Sequence, residues 1–154
     1  INMAAPPAVM PTKLSSIQPA AAFDAEKAAE NLRKAMKGLG TNEDTIIDIL
    51  TSNCNAQRLE IEKKYRQMYG RDLRTDLKSE ISGKFLTIAL AMLDHPRIFD
   101  ASECNEAMKG AGTDDDALIE ILSTRSNEEI QEICKQYKIM YKRELERDIH
   151  ADTR

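Results

Sequence analysis

The chain repeats itself, and this limits what it can fold into more than any other feature. Met36-Lys37-Gly38-Leu39-Gly40-Thr41 recurs as Met108-Lys109-Gly110-Ala111-Gly112-Thr113. The register holds downstream. Ile49-Leu50 matches Ile121-Leu122, Tyr65 matches Tyr137, Met68-Tyr69 matches Met140-Tyr141, and Asp76 matches Asp148. Roughly 20 of about 55 aligned positions are identical at a period of about 70 residues, without gaps. One unit was duplicated, so any fold must be built from two copies of the same piece.

Each unit reads as short helices. Ala, Leu, Lys, Glu and Arg dominate from Phe23 onward, and no strand-like alternation persists. The first helix is expected from about Asp24, as N-cap, to Lys37, where Gly38 and Gly40 end it. Thr41 is expected to cap a second helix running to about Thr51. A third spans about Ala56 to Tyr69, where Ile61, Tyr65, Met68 and Tyr69 form one stripe predicted to be buried. Ile133, Tyr137, Met140 and Tyr141 repeat that stripe, and Ser126 with Glu129 predicts a capping box at its start. A fourth helix covers about Leu73 to Ile81. A fifth covers about Lys84 to Leu93, and His95-Pro96 is expected to stop the unit. The fold class is therefore all-α. The expected organisation is a flexible Ala/Pro-rich tail over residues 1–22, a first repeat over 23–94 and an incomplete second repeat over 95–154. Arg154 aligns with Ser82, so nothing matches the fifth helix. A unit without that helix is expected to leave an apolar groove, and the natural protein to continue past Arg154.

Charge and composition narrow the function. The 154 residues carry a net charge of −4. An acidic chain has no bulk attraction for nucleic acid or for an anionic membrane, so either would need a basic patch or a bridging cation. Aromatics total 5% and fall mostly on the expected buried stripe, leaving no basic surface interleaved with stacking rings. Cys54, Cys104 and Cys134 are odd in number and lack zinc-type spacing, which suits a reducing compartment, and a cytoplasmic location is expected. The longest apolar run, Phe85 to Leu93, is about half a membrane span.

The Gly-x-Gly loops carry the chemistry. Two glycines at a helix end let backbone carbonyls turn outward as hard oxygen ligands, which suit Ca²⁺. Carbonyls alone lack charge, so a carboxylate is required. Glu80 lies 44 residues after Met36, and Asp152 lies 44 after Met108, each at the end of its unit's fourth helix. A C-cap glycine beside an unrelated surface acid is the alternative. The recurrence of both loop and acid at one offset, with Asp replacing Glu, favours metal binding.

The Met-Lys-Gly-x-Gly-Thr loop followed at fixed distance by Glu or Asp resembles the type II calcium site of annexins. Leu32-Arg33-Lys34-Ala35-Met36-Lys37-Gly38, Gly70-Arg71-Asp72-Leu73 and Asp76-Leu77-Lys78-Ser79-Glu80 are similar to annexin repeat segments. The resemblance covers Phe23 to Arg154, and implies the first repeat and most of the second of a four-repeat, five-helix-per-repeat family. It implies that carbonyls of Met36, Gly38 and Gly40 with the Glu80 carboxylate hold one Ca²⁺. Met108, Gly110, Gly112 and Asp152 would hold another. Thr41 and Glu43 resemble a weaker secondary site, with Thr113 and Asp115 as counterparts. The implied function is calcium-dependent, reversible binding to anionic, phosphatidylserine-like phospholipid membranes, peripheral and without catalysis. Leu39, at the loop tip, is a candidate for membrane insertion, and Lys37 and Lys109 for headgroup contact; a folded-back leucine and solvated lysines are the alternatives.

Other chemistries fail on the residues. His95 and His150 have no nucleophile arranged with them, so an enzyme is not expected. Gly83-Lys84 lacks the rest of a phosphate loop. Asp114-Asp115-Asp116 lacks the alternation and central glycine of an EF-hand. The competing reading is a calcium-independent helical scaffold, with the tail and outer surface binding protein partners.

Overall fold

The computed structural model describes residues 17–38, 40–110 and 112–153. Among them there are nine helices and no strand. The chain divides after Asp94 into two compact units. The first holds α1 (Ala25–Ala35), α2 (Glu43–Ser52), α3 (Asn55–Tyr69), α4 (Leu73–Glu80) and α5 (Gly83–Leu93). The second holds α6 (Pro96–Ala107), α7 (Asp115–Thr124), α8 (Asn127–Tyr141) and α9 (Leu145–Asp152).

In the first unit α1 lies along α3 and α2, and α5 packs across α2, α3 and α4. Leu32, Ile46, Ile61, Tyr65, Leu73, Leu77 and Leu93 close the core, each at most 1% exposed. Burying one such side chain contributes roughly 1.5–3 kcal/mol, so this cluster is the main source of the unit's stability. In the second unit α6 takes the place of α1, against α7 and α8, around Ala101, Cys104, Leu118, Ile133, Tyr137 and Leu145. Leu50 is buried, whereas its counterpart Leu122 is half-buried.

Buried polar groups tie the helices together. Arg58 lies within the core of the first unit. Its Nε donates to the Met92 carbonyl at 2.6 Å, and its Nη1 to the carbonyls of Leu50 at 2.9 Å and Asn53 at 2.6 Å. One guanidinium thus satisfies the carbonyl ends of both α2 and α5, which would otherwise be left without partners. Arg74 on α4 reaches Glu62 on α3 and Asp94 after α5, and adds the Leu93 carbonyl.

Several local expectations change. Asp24 caps α1 as expected, accepting from the Lys27 N–H. Thr41 does not cap α2; Asn42 does, accepting from the Thr45 N–H at 3.0 Å. The shift of one residue frees the Thr41 hydroxyl for another contact, described below. Met68 and Met140 are exposed rather than part of a buried stripe. They sit in the last turns of 15-residue helices, which outrun neighbours of 8 to 12 residues. His95-Pro96 opens a helix instead of only closing a unit. His95 is the N-cap of α6 and Pro96 occupies its first turn, where a missing N–H costs nothing. One contact falls inside the segment expected to be a tail. Ala20 is already bonded to Gln57 on α3 in both directions. The Ser126–Glu129 capping box is present, with both bonds formed.

Candidate calcium loops

The loop after α1 is closed by its own backbone. The Asn42 N–H donates to the Ala35 carbonyl at 2.9 Å, and the matching Asp114 N–H donates to Ala107 at 2.8 Å. Met36 and Met108 are the C-caps of α1 and α6. Between cap and closure the chain turns back on itself within a few residues. That requires positive φ, and the glycines supply it. Gly38 is at 122° and Gly40 at 87°; Gly110 is at 100° and Gly112 at 108°. A Cβ at Gly40 would meet no atom within 4 Å, so the need for glycine there is conformational, not steric crowding. Leu39, the expected insertion tip, and Ala111 lie outside the described residues.

The distant carboxylate reaches this loop. The Thr41 hydroxyl lies 3.1 Å from Glu80 Oε2 and 3.4 Å from the Glu80 carbonyl, 39 residues along the chain. Thr113 makes the same pair of contacts to Asp152, donating to Oδ2 and lying 3.2 Å from the carbonyl. The structure therefore joins Thr41 to Glu80 and Thr113 to Asp152. Glu43 lines an open, polar depression with Gly40, Thr41, Asn42 and Asp44. Asp115 holds the matching first-turn position of α7.

The helix that carries the carboxylate is tied to the core by a buried network to which the sequence pattern alone assigns no role. Asp76 lies on α4 one turn before Glu80, and it is buried. Its Oδ2 accepts from the Tyr65 hydroxyl at 2.6 Å, and Arg71 forks onto both oxygens at 2.6–3.1 Å. Arg33 approaches from α1 at 3.5 Å. The Arg71 hydrogen bonds, ahead of those from Tyr65, hold the Asp76 carboxyl below the usual aspartate range despite burial. Burial and the bond to Asp76 push the Tyr65 phenol up to about 12. The second unit repeats the arrangement with Tyr137, Arg143 and Asp148. The signal available in the sequence is the recurrence of Tyr, Arg and Asp at one offset.

The lysines differ. Lys37 is exposed beside the first loop. Lys109 donates to Glu106 one turn back, which raises its pKa and occupies it locally.

The donor set fits a hard cation. Each loop offers peptide carbonyls and one carboxylate, all oxygen. No group of three or more His, Cys, Asp or Glu side chains that could hold a metal ion gathers among the described residues.

Comparison with known proteins decides the family. The annexin family model matches residues 27–92 and 99–154. The chain belongs to the annexin family. Bovine annexin A4 is 49% identical over 144 residues, covering 94% of the chain and 45% of that annexin. Rabbit annexin A11 is 51% identical over 150 residues, covering 96% of the chain and 30% of its own length. Among solved structures, chicken annexin V superposes with a TM-score of 0.84 at 47% identity, over 90% of the chain and 44% of that protein. Calcium-bound annexin (Sm)1 gives 0.83 at 38% identity, over 90% and 42%. The chain spans less than half the length of these annexins.

Proposed function

We propose that the chain binds Ca²⁺ at its two Gly-x-Gly loops and through it attaches reversibly to anionic phospholipid membranes. The observation that carries this reading is the duplicated contact of Thr41 with Glu80 and of Thr113 with Asp152. It brings a carboxylate to a glycine loop once in each of the two units. The carbonyls of Met36, Gly38 and Gly40 with Glu80 would hold one ion, and those of Met108, Gly110 and Gly112 with Asp152 the other. Bound there, the cation supplies positive charge between an acidic protein and an acidic lipid surface. The residues' own part would be to present oxygen and keep the carboxylate within reach. Lys37 would add a headgroup contact, and Glu43 with Thr41 a weaker adjacent position. No reaction is part of this reading. No helix among the described residues is long and apolar enough to cross a membrane; attachment would be peripheral, from the cytoplasmic side.

Glu80→Gln tests it well, because glutamine keeps an oxygen for Thr41 and removes only the charge. Co-sedimentation with phosphatidylserine vesicles should require Ca²⁺, reverse with chelator and weaken in Glu80→Gln and Asp152→Asn. Unaltered calcium-dependent binding by the double variant would show that these carboxylates are not ligands. Chelator-insensitive binding to a protein partner instead would favour the scaffold reading.

A further inference from the structure

The two glycine loops share a backbone but not a charge. Two positions make the difference. Lys34 stands in the last turn of α1, and its counterpart in α6 is Glu106. Asn42 caps α2, and its counterpart Asp114 caps α7. Each side-chain oxygen accepts an N–H three residues on, from Thr45 at 3.0 Å and from Ala117 at 3.1 Å. The capping bond is the same in both, so the negative charge of Asp114 is surplus to it. Glu43 and Asp44 match Asp115 and Asp116 in charge. Residues 34–44 with Glu80 therefore hold two lysines and three acids, a net −1. Residues 106–116 with Asp152 hold one lysine and five acids, a net −4.

The surroundings do not close this gap. Lys34 pairs with Glu30 at 2.5 Å, and it lines the depression beside the first loop. Reaching back one turn to Glu30 brings in Arg33 as well, so the first loop stays at −1. The same reach in the second unit adds only Glu103. Burial, then the negative charges of Glu106 and Asp100, push the Glu103 carboxyl above the usual range. Glu106 also accepts from Lys109, so the second loop's one lysine is already neutralised. Lys34, Asn42, Glu106 and Asp114 are all exposed, so they act on an ion at the loop through their charge and not through packing.

We propose that the two loops fill in order, the second taking Ca²⁺ at a lower concentration than the first because three more negative charges surround it. This rests on the calcium reading above. Three unit charges acting on a dication at about 10 Å, through water and ordinary salt, change its affinity by roughly three- to tenfold. The chain then responds to calcium in two steps, with one loop occupied before the other.

Titration calorimetry of the full chain with CaCl₂ alone, without lipid, tests this. The parent should show two classes of site. Asp152→Asn should remove the tighter class and Glu80→Gln the weaker. Exchanging the surrounding charges tests the cause while leaving both carboxylates in place. Glu106→Lys with Asp114→Asn gives the second loop the charge of the first, and should weaken the tighter class by roughly three- to tenfold. Lys34→Glu with Asn42→Asp should strengthen the weaker class by a similar factor. Raising KCl from about 0.05 to about 0.5 M should narrow the gap between the classes. Equal affinities in the parent, loss of the tighter class in Glu80→Gln, or charge exchanges without effect would overturn the order and leave the calcium reading standing. Calcium binding unchanged by both Asp152→Asn and Glu80→Gln would overturn that reading and this inference together.

Discussion

Removing one oxygen atom from the first unit should be enough to loosen the helix that carries Glu80. Tyr65→Phe keeps the ring, which is fully buried, and deletes only the hydroxyl that donates to Asp76 at 2.6 Å. A hydrogen bond to an ionised partner contributes about 1.5–3 kcal/mol. Arg71 still forks onto the carboxylate in the variant, so Asp76 is not left orphaned. That argues for the middle of the range, about 2 kcal/mol, against total stabilities of about 5–15 kcal/mol for domains generally. For a unit of this size the melting temperature should fall by roughly 10 °C. Calorimetry measures the shift, and native-state hydrogen exchange places it, with α4 losing protection before α1 and α3. Tyr137→Phe should act alike in the second unit through Asp148. A melting point within about 2 °C of the parent, or loss of protection that bypasses α4, would refute the view that this network positions the helix.

Two further outcomes follow from the same contacts. Thr41→Val should weaken calcium binding at the first loop by roughly fivefold, the equivalent of one hydrogen bond, and Thr41→Ser should restore it; titration calorimetry reads both, and equal affinity for the valine variant would remove the threonine from the site. Stability should also fall at both pH extremes. Asp76 and Asp72 titrate below the ordinary aspartate range, from the Arg71 bonds and the Thr75 N–H respectively, so their stabilisation is intact above the unfolded value near 4 and is lost as pH drops through the depressed folded values. Tyr65 titrates high, so its contribution is intact below pH about 10 and is lost on rising through about 12. Urea midpoints across pH 3–12 would show a plateau with losses at each end, and a flat acid limb would contradict the assignment.

Much of this molecule is legible in its sequence. The duplication, the helix count of the first unit, the glycine turns and the Ser126–Glu129 box are local signals, and local signals survive folding. What escapes them is of longer range. Thr41 and Asn42 are both good caps by type, and the choice between them depends on Glu80 drawing Thr41 away, which no window around residue 41 contains. The exposure of Met68 and Met140 follows from helices of unequal length, a property of neighbours rather than of the stripe itself. The Gln57–Ala20 pair spans 37 residues and is invisible to periodicity because it uses backbone at one end. At the candidate site, loop and acid can be matched by spacing. The aspartates on the same helices, Asp76 and Asp148, recur at the same offset, but their burial is set by neighbours distant in sequence.

Asp76 and Glu80 share α4, an eight-residue helix, four positions apart. About 6 Å of rigid backbone joins the carboxylate that the core grips to the one offered to the loop. The helix thus behaves as a short lever with its fulcrum inside the protein. A small rotation at Asp76 would become a displacement of Glu80 and a longer contact with Thr41. The acid at the tip differs by a methylene between the units, Glu80 in one and Asp152 in the other, while the residue at the pivot is aspartate in both.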